Sequence, residues 1–248
     1  MTLPKPQIMD GAAADWPVVS IRHLDLKFMP RAWPFSEKRR QEIDDYFAAR
    51  QRDNPALWNG RVLAMHTFGI HGDTLCGAYL ETDFASFLAW RDWDFPDAHM
   101  RNCFGMAALL SRDGAFLLGV MGPHTANPGR AYFPAGTPDL SDIVGDRVDI
   151  EGNIRRELME ETGLDMHALR AEPDWHVVLA GPRIALMKVL QAPDDAATLR
   201  ARMLAHIAAD REPELSDIRI VREPRDLDAA VPSHMTAFLR SAWRRDRQ

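Results

Sequence analysis

Cysteine and lysine are both scarce in this chain, and each scarcity closes a route. The only cysteines are Cys76 and Cys103. With no Cys-x-x-Cys pair and no metal-finger spacing, neither a zinc finger nor a disulfide framework can carry the fold. Two reduced thiols in a reducing compartment are the expectation. Lysine occurs only as Lys5, Lys27, Lys38 and Lys188, so the positive charge is almost all arginine. Even so, 36 acidic residues outnumber 30 basic ones, and a net charge of −6 argues against a general nucleic-acid binder, which carries a basic stripe. No apolar run is long enough to cross a bilayer, and residues 1–15 lack the charged start and apolar stretch of a secretory signal. A cytoplasmic protein without nucleic-acid or membrane partners is expected. What remains is ordinary globular composition, 46% hydrophobic and 27% charged, and 248 residues suffice for one large domain or two modest ones.

Turn signals divide the chain near residue 100. Residues 1–16 read as a loose lead-in. A strand is expected over 18–28, and a helix from Ser36 to about Asp53, ended by Asn54-Pro55. Two strands, 61–70 and 74–81, flank a His71-Gly72-Asp73 turn. Asp83 then caps a short aromatic helix through Trp90. This first part is an α+β unit without a chemical motif, in which Trp58, Trp90 and Trp93 read as packing residues. His66 and His71 read as a strand and a turn residue rather than a metal pair.

From Arg101 onward, apolar runs 103–110 and 115–121 form a hairpin around Ser111-Arg112-Asp113-Gly114. A loop over 122–130 leads to a short strand at Tyr132-Phe133. The polar segment 137–148, with Asp139, Asp142 and Asp146, reads as solvated loop. Asp149 stands where a helix N-cap belongs. Strands at 177–179 and 184–190, a helix over 194–209, a strand at 218–221 and a helix from Ser233 complete the chain.

The most informative stretch is Arg156-Glu157-Leu158-Met159-Glu160-Glu161-Thr162-Gly163-Leu164. Glu157, Glu160 and Glu161 stand at i, i+3 and i+4, so on a helix they share one face. Carboxylates about 5 Å apart repel by roughly 3 kcal/mol per pair at an effective dielectric of about 20. A helix gains nothing from that cost. A bound divalent cation removes it, and hard cations take oxygen ligands. The competing reading is a solvated acidic face; the flanking arginine, the apolar Leu158 and the Gly163-Leu164 stop argue against it.

These residues resemble the second half of the Nudix box, G-x5-E-x7-R-E-U-x-E-E-x-G-U with U apolar, and every specified position from Arg156 to Leu164 matches. Tyr132-Phe133-Pro134-Ala135-Gly136 is similar to the strand end and loop start of that family, with Ala135 where a glycine is commoner. The spacing then departs. Gly136 lies 20 residues before Arg156, where the pattern has 14, and the position eight before Arg156 is Val148 rather than a glutamate. The arginine that many members carry after a Leu-Leu-Gly strand is absent, because Leu117-Leu118-Gly119 runs into Val120 and Met121.

The resemblance implies an α/β fold: a Nudix-type α/β/α sandwich with a mixed sheet over 101–248, preceded by a smaller α+β domain over 1–100 that serves substrate recognition or dimerisation. It implies Mg²⁺ or Mn²⁺ held by Glu157, Glu160 and Glu161, with the carbonyl of Gly136 as a further ligand. Arg156 would orient a neighbouring carboxylate, so that Arg156, Glu157 and Glu160 form the catalytic set. The water's proton goes to Glu157 or to a distal glutamate, Glu212 or Glu214. His124, Arg130 and Arg183 are candidates for the missing phosphate contact. The implied substrate is a small nucleoside diphosphate linked to another group, of nucleotide-sugar, ADP-ribose or dinucleotide type, cleaved at the diphosphate. The alternative is a Nudix-fold nucleotide sensor that has lost catalysis; the altered loop and Val148 favour it, and the intact carboxylate triad favours the enzyme.

Overall fold

Apolar side chains alternate between two faces along 102–110 and 183–191, which sets the middle layer of the molecule. The computed structural model describes residues 16–125 and 127–245, so most of the expected lead-in lies outside the described residues. Its strands and helices are, in chain order, β1 (Val18–Ile21), β2 (His23–Phe28), α1 (Pro34–Lys38), α2 (Arg40–Asp53), β3 (Arg61–His71), β4 (Thr74–Asp83), α3 (Phe84–Asp92), β5 (Asn102–Leu110) and β6 (Phe116–Met121). They continue with β7 (Ala131–Tyr132), β8 (Ile143–Val144), β9 (Arg147–Val148), α4 (Ile150–Thr162), β10 (Arg170–Ala180), β11 (Arg183–Gln191), α5 (Ala196–Ala209), β12 (Leu215–Val221) and α6 (Ser233–Arg245).

The larger sheet runs β1-β10-β11-β5-β6-β12, with β7 beside β6. β11 and β5 are parallel, whereas β10 and β11 are antiparallel, so the sheet is mixed. From one face Cys103, Ala107, Leu109, Ile184 and Leu186 pack on Ile150, Ile154 and Leu158 of α4 and on Leu199 and Met203 of α5. From the other face Met106, Ala108, Ala185 and Met187 meet Met235, Phe238 and Leu239 of α6. This is an α/β/α sandwich with a mixed sheet, the layering that the Nudix resemblance implies.

A second sheet, β3-β4-β2-β9-β8, extends the α4 side. Its Leu26, Leu63, Met65, Leu75 and Tyr79 belong to the same core as Ile150 and Ile154. Strands cross the division near residue 100 in both directions. β1 pairs with β10 in the larger sheet, while β9 pairs with β2 in the smaller one.

That exchange explains a departure from expectation. The strand expected over 18–28 is two strands in two sheets, parting at Arg22, where the backbone N–H groups of Arg22 and His23 both donate to Asp73 O. The helix expected from Ser36 begins instead at Pro34, which needs no N–H partner at the first helical position, and breaks at Arg39 (φ −113°) before α2. Ser36 is not its cap; its hydroxyl meets that of Ser86 at 2.9 Å. Trp90 is buried, and Trp93 packs edge-on against Phe35 and Tyr46. Trp58, read as a packing residue, is 80% exposed. Among the described residues no helix is long and apolar enough to cross a membrane, and Cys76 and Cys103 are free thiols.

Candidate active site

The motif lies on α4, as its spacing predicts. Asp149 caps the helix by accepting the Gly152 N–H at 2.9 Å. Gly163, at φ 69°, closes it in the left-handed conformation that glycine adopts freely. Ile150, Ile154 and Leu158, spaced four apart, fix α4 to the sheet by burial. Beside that buried stripe, in the last two turns of the helix, Glu157, Glu160 and Glu161 line a pocket of about 190 Å³. Glu212 and Glu214, from the loop before β12, line the same pocket, as do Asp210 and His206. The structure thus gathers five sequence-selected glutamates from two distant segments.

Six carboxylates around so small a space carry an electrostatic cost. Burial, with repulsion from Glu160, Glu214 and Asp142 acting against the attraction of Arg156, pushes the Glu157 carboxyl up to about 7. Burial drives Glu161 well above the usual carboxylate range, helped by Glu157 and Glu214, although its Oε1 accepts the Ala135 N–H at 3.2 Å. Hard oxygen donors crowded to this degree suit a divalent cation by chemistry. They do not converge on one point: among the described residues, no three His, Cys, Asp or Glu side chains are grouped to hold an ion. Glu157 leans on Arg156, Glu161 on the Ala135 amide, and Glu160 is 60% exposed.

Arg156 reaches three carboxylates, Glu157 at 2.7 Å, Asp142 at 3.3 Å and Glu160 at 3.4 Å. Asp142, read as solvated loop, is instead 5% exposed and closely held. Its Oδ2 accepts from Asn153 Nδ2 at 2.9 Å and from the Asp139 N–H at 3.0 Å. Gly136 to Asp142 has the G-x5-acid spacing of the box. The six added residues are therefore 143–148, the β8–β9 hairpin, and the chain returns where it left, with the Asp149 N–H donating to Asp142 O at 2.8 Å. Counting back from Arg156 reaches Val148, a buried strand residue. Counting forward from Gly136 reaches the carboxylate, and this was the signal in the sequence.

Gly136 sits against the motif. A Cβ there would lie 2.1 Å from Glu157 Oε1, so only glycine lets the loop approach that carboxylate. Gly136 and Glu161 also border a second cavity of about 280 Å³ lined by Phe84, Phe95, Phe104 and Tyr132. Of the three candidate phosphate contacts, Arg183 lines this cavity. Arg130 donates instead to Ala229 O at 2.6 Å. His124 lies on an exposed loop whose carbonyl accepts from Asn54. Neither residue is among those lining either pocket. The contribution of residues 84–95 to a cavity beside the motif had no sequence signal, because it depends on how α3 packs.

No family model matches the chain, and no curated protein matches it. Among solved structures, a MutT protein from Methanosarcina mazei is similar at 16% identity and a TM-score of 0.40, covering 60% of this chain and 96% of its own. An Ap4A hydrolase from C. elegans gives 16% and 0.37, covering 56% and 96%. A Nudix hydrolase from M. smegmatis gives 15% and 0.37, covering 56% and 83%. The Nudix reading rests on Gly136, Asp142 and the α4 motif.

Proposed function

We propose that the protein hydrolyses a diphosphate bond in a nucleoside diphosphate linked to a further group, using Mg²⁺ or Mn²⁺. The observation that carries this reading is the meeting of the α4 glutamates with Glu214 in one pocket, bordered through Glu161 by an aromatic cavity. Glu157, Glu160 and Glu161, once turned from Arg156 and the Ala135 amide, would hold the cation, which when bound neutralises the diphosphate and acidifies a water. Arg156, anchored on Asp142, keeps Glu157 and Glu160 within reach of one another by charge-assisted hydrogen bonds. Glu157, with its proton affinity raised into the neutral range, is the first choice to accept the water's proton. Glu214, across the pocket, is the distal alternative. Arg183, which lines the aromatic cavity as Arg91 also does, would meet a phosphate or the group beyond it.

The test is turnover of a panel of nucleotide sugars, ADP-ribose and dinucleotides with Mg²⁺ or Mn²⁺, followed by product release. Metal-dependent cleavage that disappears in Glu160→Gln and Glu161→Gln supports the proposal. Tight nucleotide binding without turnover in any metal overturns it in favour of a sensor.

A further inference from the structure

The cavity beside the acidic pocket has walls from both parts of the chain. Phe84 and Phe95 come from α3 and the turn after it, and Phe104 and Tyr132 come from the larger sheet. Asp94 and Phe95, which both line the cavity, have φ of 61° and 56°. Non-glycine residues rarely hold this left-handed conformation, and consecutive examples persist only where their surroundings over-determine them.

The surroundings here are specific. The Phe95 N–H donates to Trp90 O at 2.9 Å, and the Phe95 ring stands edge-on to the buried Trp90 at 4.7 Å. The guanidinium of Arg183 lies over the Phe95 ring, 4.9 Å from its centroid. Phe104, also in the lining, is set edge-on against His234 at 5.9 Å. Strain and packing together fix Phe95 and the Arg183 guanidinium over it in the lining of the cavity, as a preorganised binding wall requires. The volume, about 280 Å³, lies at the small end of ligand sites. Glu161 lines both this cavity and the acidic pocket, so the two lie side by side.

We propose that residues 84–95 form the recognition wall for a nucleobase, seated among Phe95 with its overlying Arg183, Phe104 and Tyr132. The direction of the attached phosphates, past Glu161, rests on the hydrolase reading above; recognition of the ring does not. Aromatic faces stack on any base, and the edge groups of Asp94, Asn102 and Asn127 around the cavity supply the means to choose among bases. The N-terminal part thereby selects the nucleoside, while α4 acts on what is attached to it.

The test is calorimetric titration of the full chain, without metal, by adenosine, guanosine, cytidine, uridine and, as a ringless control, ribose. These uncharged probes avoid the carboxylates. At least one nucleoside is expected to bind and ribose not to. Phe95→Leu and Phe104→Leu are each expected to weaken that binding about tenfold with unchanged circular dichroism. The wall is overturned if no nucleoside exceeds ribose, or if either variant, folded, binds as the parent does. Should one variant fail to fold, the other and the nucleoside–ribose comparison still decide. Nucleoside binding without turnover in any metal sinks only the hydrolase reading. Turnover with a KM indifferent to both substitutions sinks only the wall.

Discussion

Asp142 lies 3.3 Å from the guanidinium of Arg156, and a six-residue hairpin separates the two in sequence beyond the usual spacing of the motif. The insertion lengthened the loop without removing the carboxylate that anchors the arginine. Replacing Asp142 by alanine leaves Asn153 Nδ2 and the Asp139 N–H without their acceptor, which should cost about 1–3 kcal/mol in denaturant unfolding. Asp142→Asn should keep most of the stability yet lower turnover at least tenfold, because Arg156 then has only Glu157 and Glu160 to neutralise. Equal turnover in a folded Asp142→Asn would show that the anchor is dispensable.

Excising residues 143–148 should restore the ordinary 14-residue spacing from Gly136 to Arg156 and leave turnover within a few-fold. The ends already meet at the Asp149–Asp142 backbone bond. The smaller sheet loses the Phe28 N–H bond to Asp146 O and the Lys27–Arg147 pairing, and the core loses buried Val148, a loss of about 2–5 kcal/mol measured by urea unfolding. A folded deletion without activity would mean that the hairpin itself serves the site.

Gly136→Ala places a methyl group 2.1 Å from Glu157 Oε1 and 2.3 Å from its Cδ, so the glutamate must turn away. Turnover should fall by on the order of a hundredfold, the usual effect of misplacing a reacting group by about an ångström. The melting temperature should change little, since the loop lies at the pocket's edge. Steady-state kinetics beside a thermal melt separate these outcomes.

The metal-free protein should lose stability as pH rises from about 4.5 to about 7. In that window folded Glu157 keeps a proton that the unfolded chain has released, so the folded state binds more protons and raising the pH disfavours it. Below the window both states are protonated, and above it the full cost remains. Thermal melts in chelator across this range should slope downward, and Glu157→Gln should reduce the slope, leaving the part that Glu161 contributes in the same direction. Mg²⁺ competes with the proton, so the stabilisation that it adds should grow with pH; an effect of Mg²⁺ that is constant with pH would argue that it binds elsewhere.

Local signals were legible wherever one short segment decides the outcome. Asp149 and Gly163 bound α4, Asp83 caps α3, and the i, i+3, i+4 glutamates fall on one face because helix geometry leaves no other choice. Arg22 was not legible as a break, since what divides β1 from β2 is a choice between two sheets made by residues far away. Asp142 was half legible: its distance from Gly136 was in the sequence, but a polar segment looks solvated until the hairpin folds away and leaves it under Arg156. The aromatic cavity was not legible at all, because Phe95 and Phe104 meet only through packing of the two parts.

The place of β1 bears on how the chain folds. Ser20 meets His176 across 156 residues, and Trp16 meets Ser233 across 217. Contacts of such separation slow folding, and during synthesis the β1 segment emerges long before β10 exists to receive it. Until then the β1 segment has no partner, and if it is missing the β10 edge stays unpaired and invites association with other chains. The last strand to find its place is thus among the first to be made, and shortening the chain from its front should be felt as aggregation before it is felt in the chemistry.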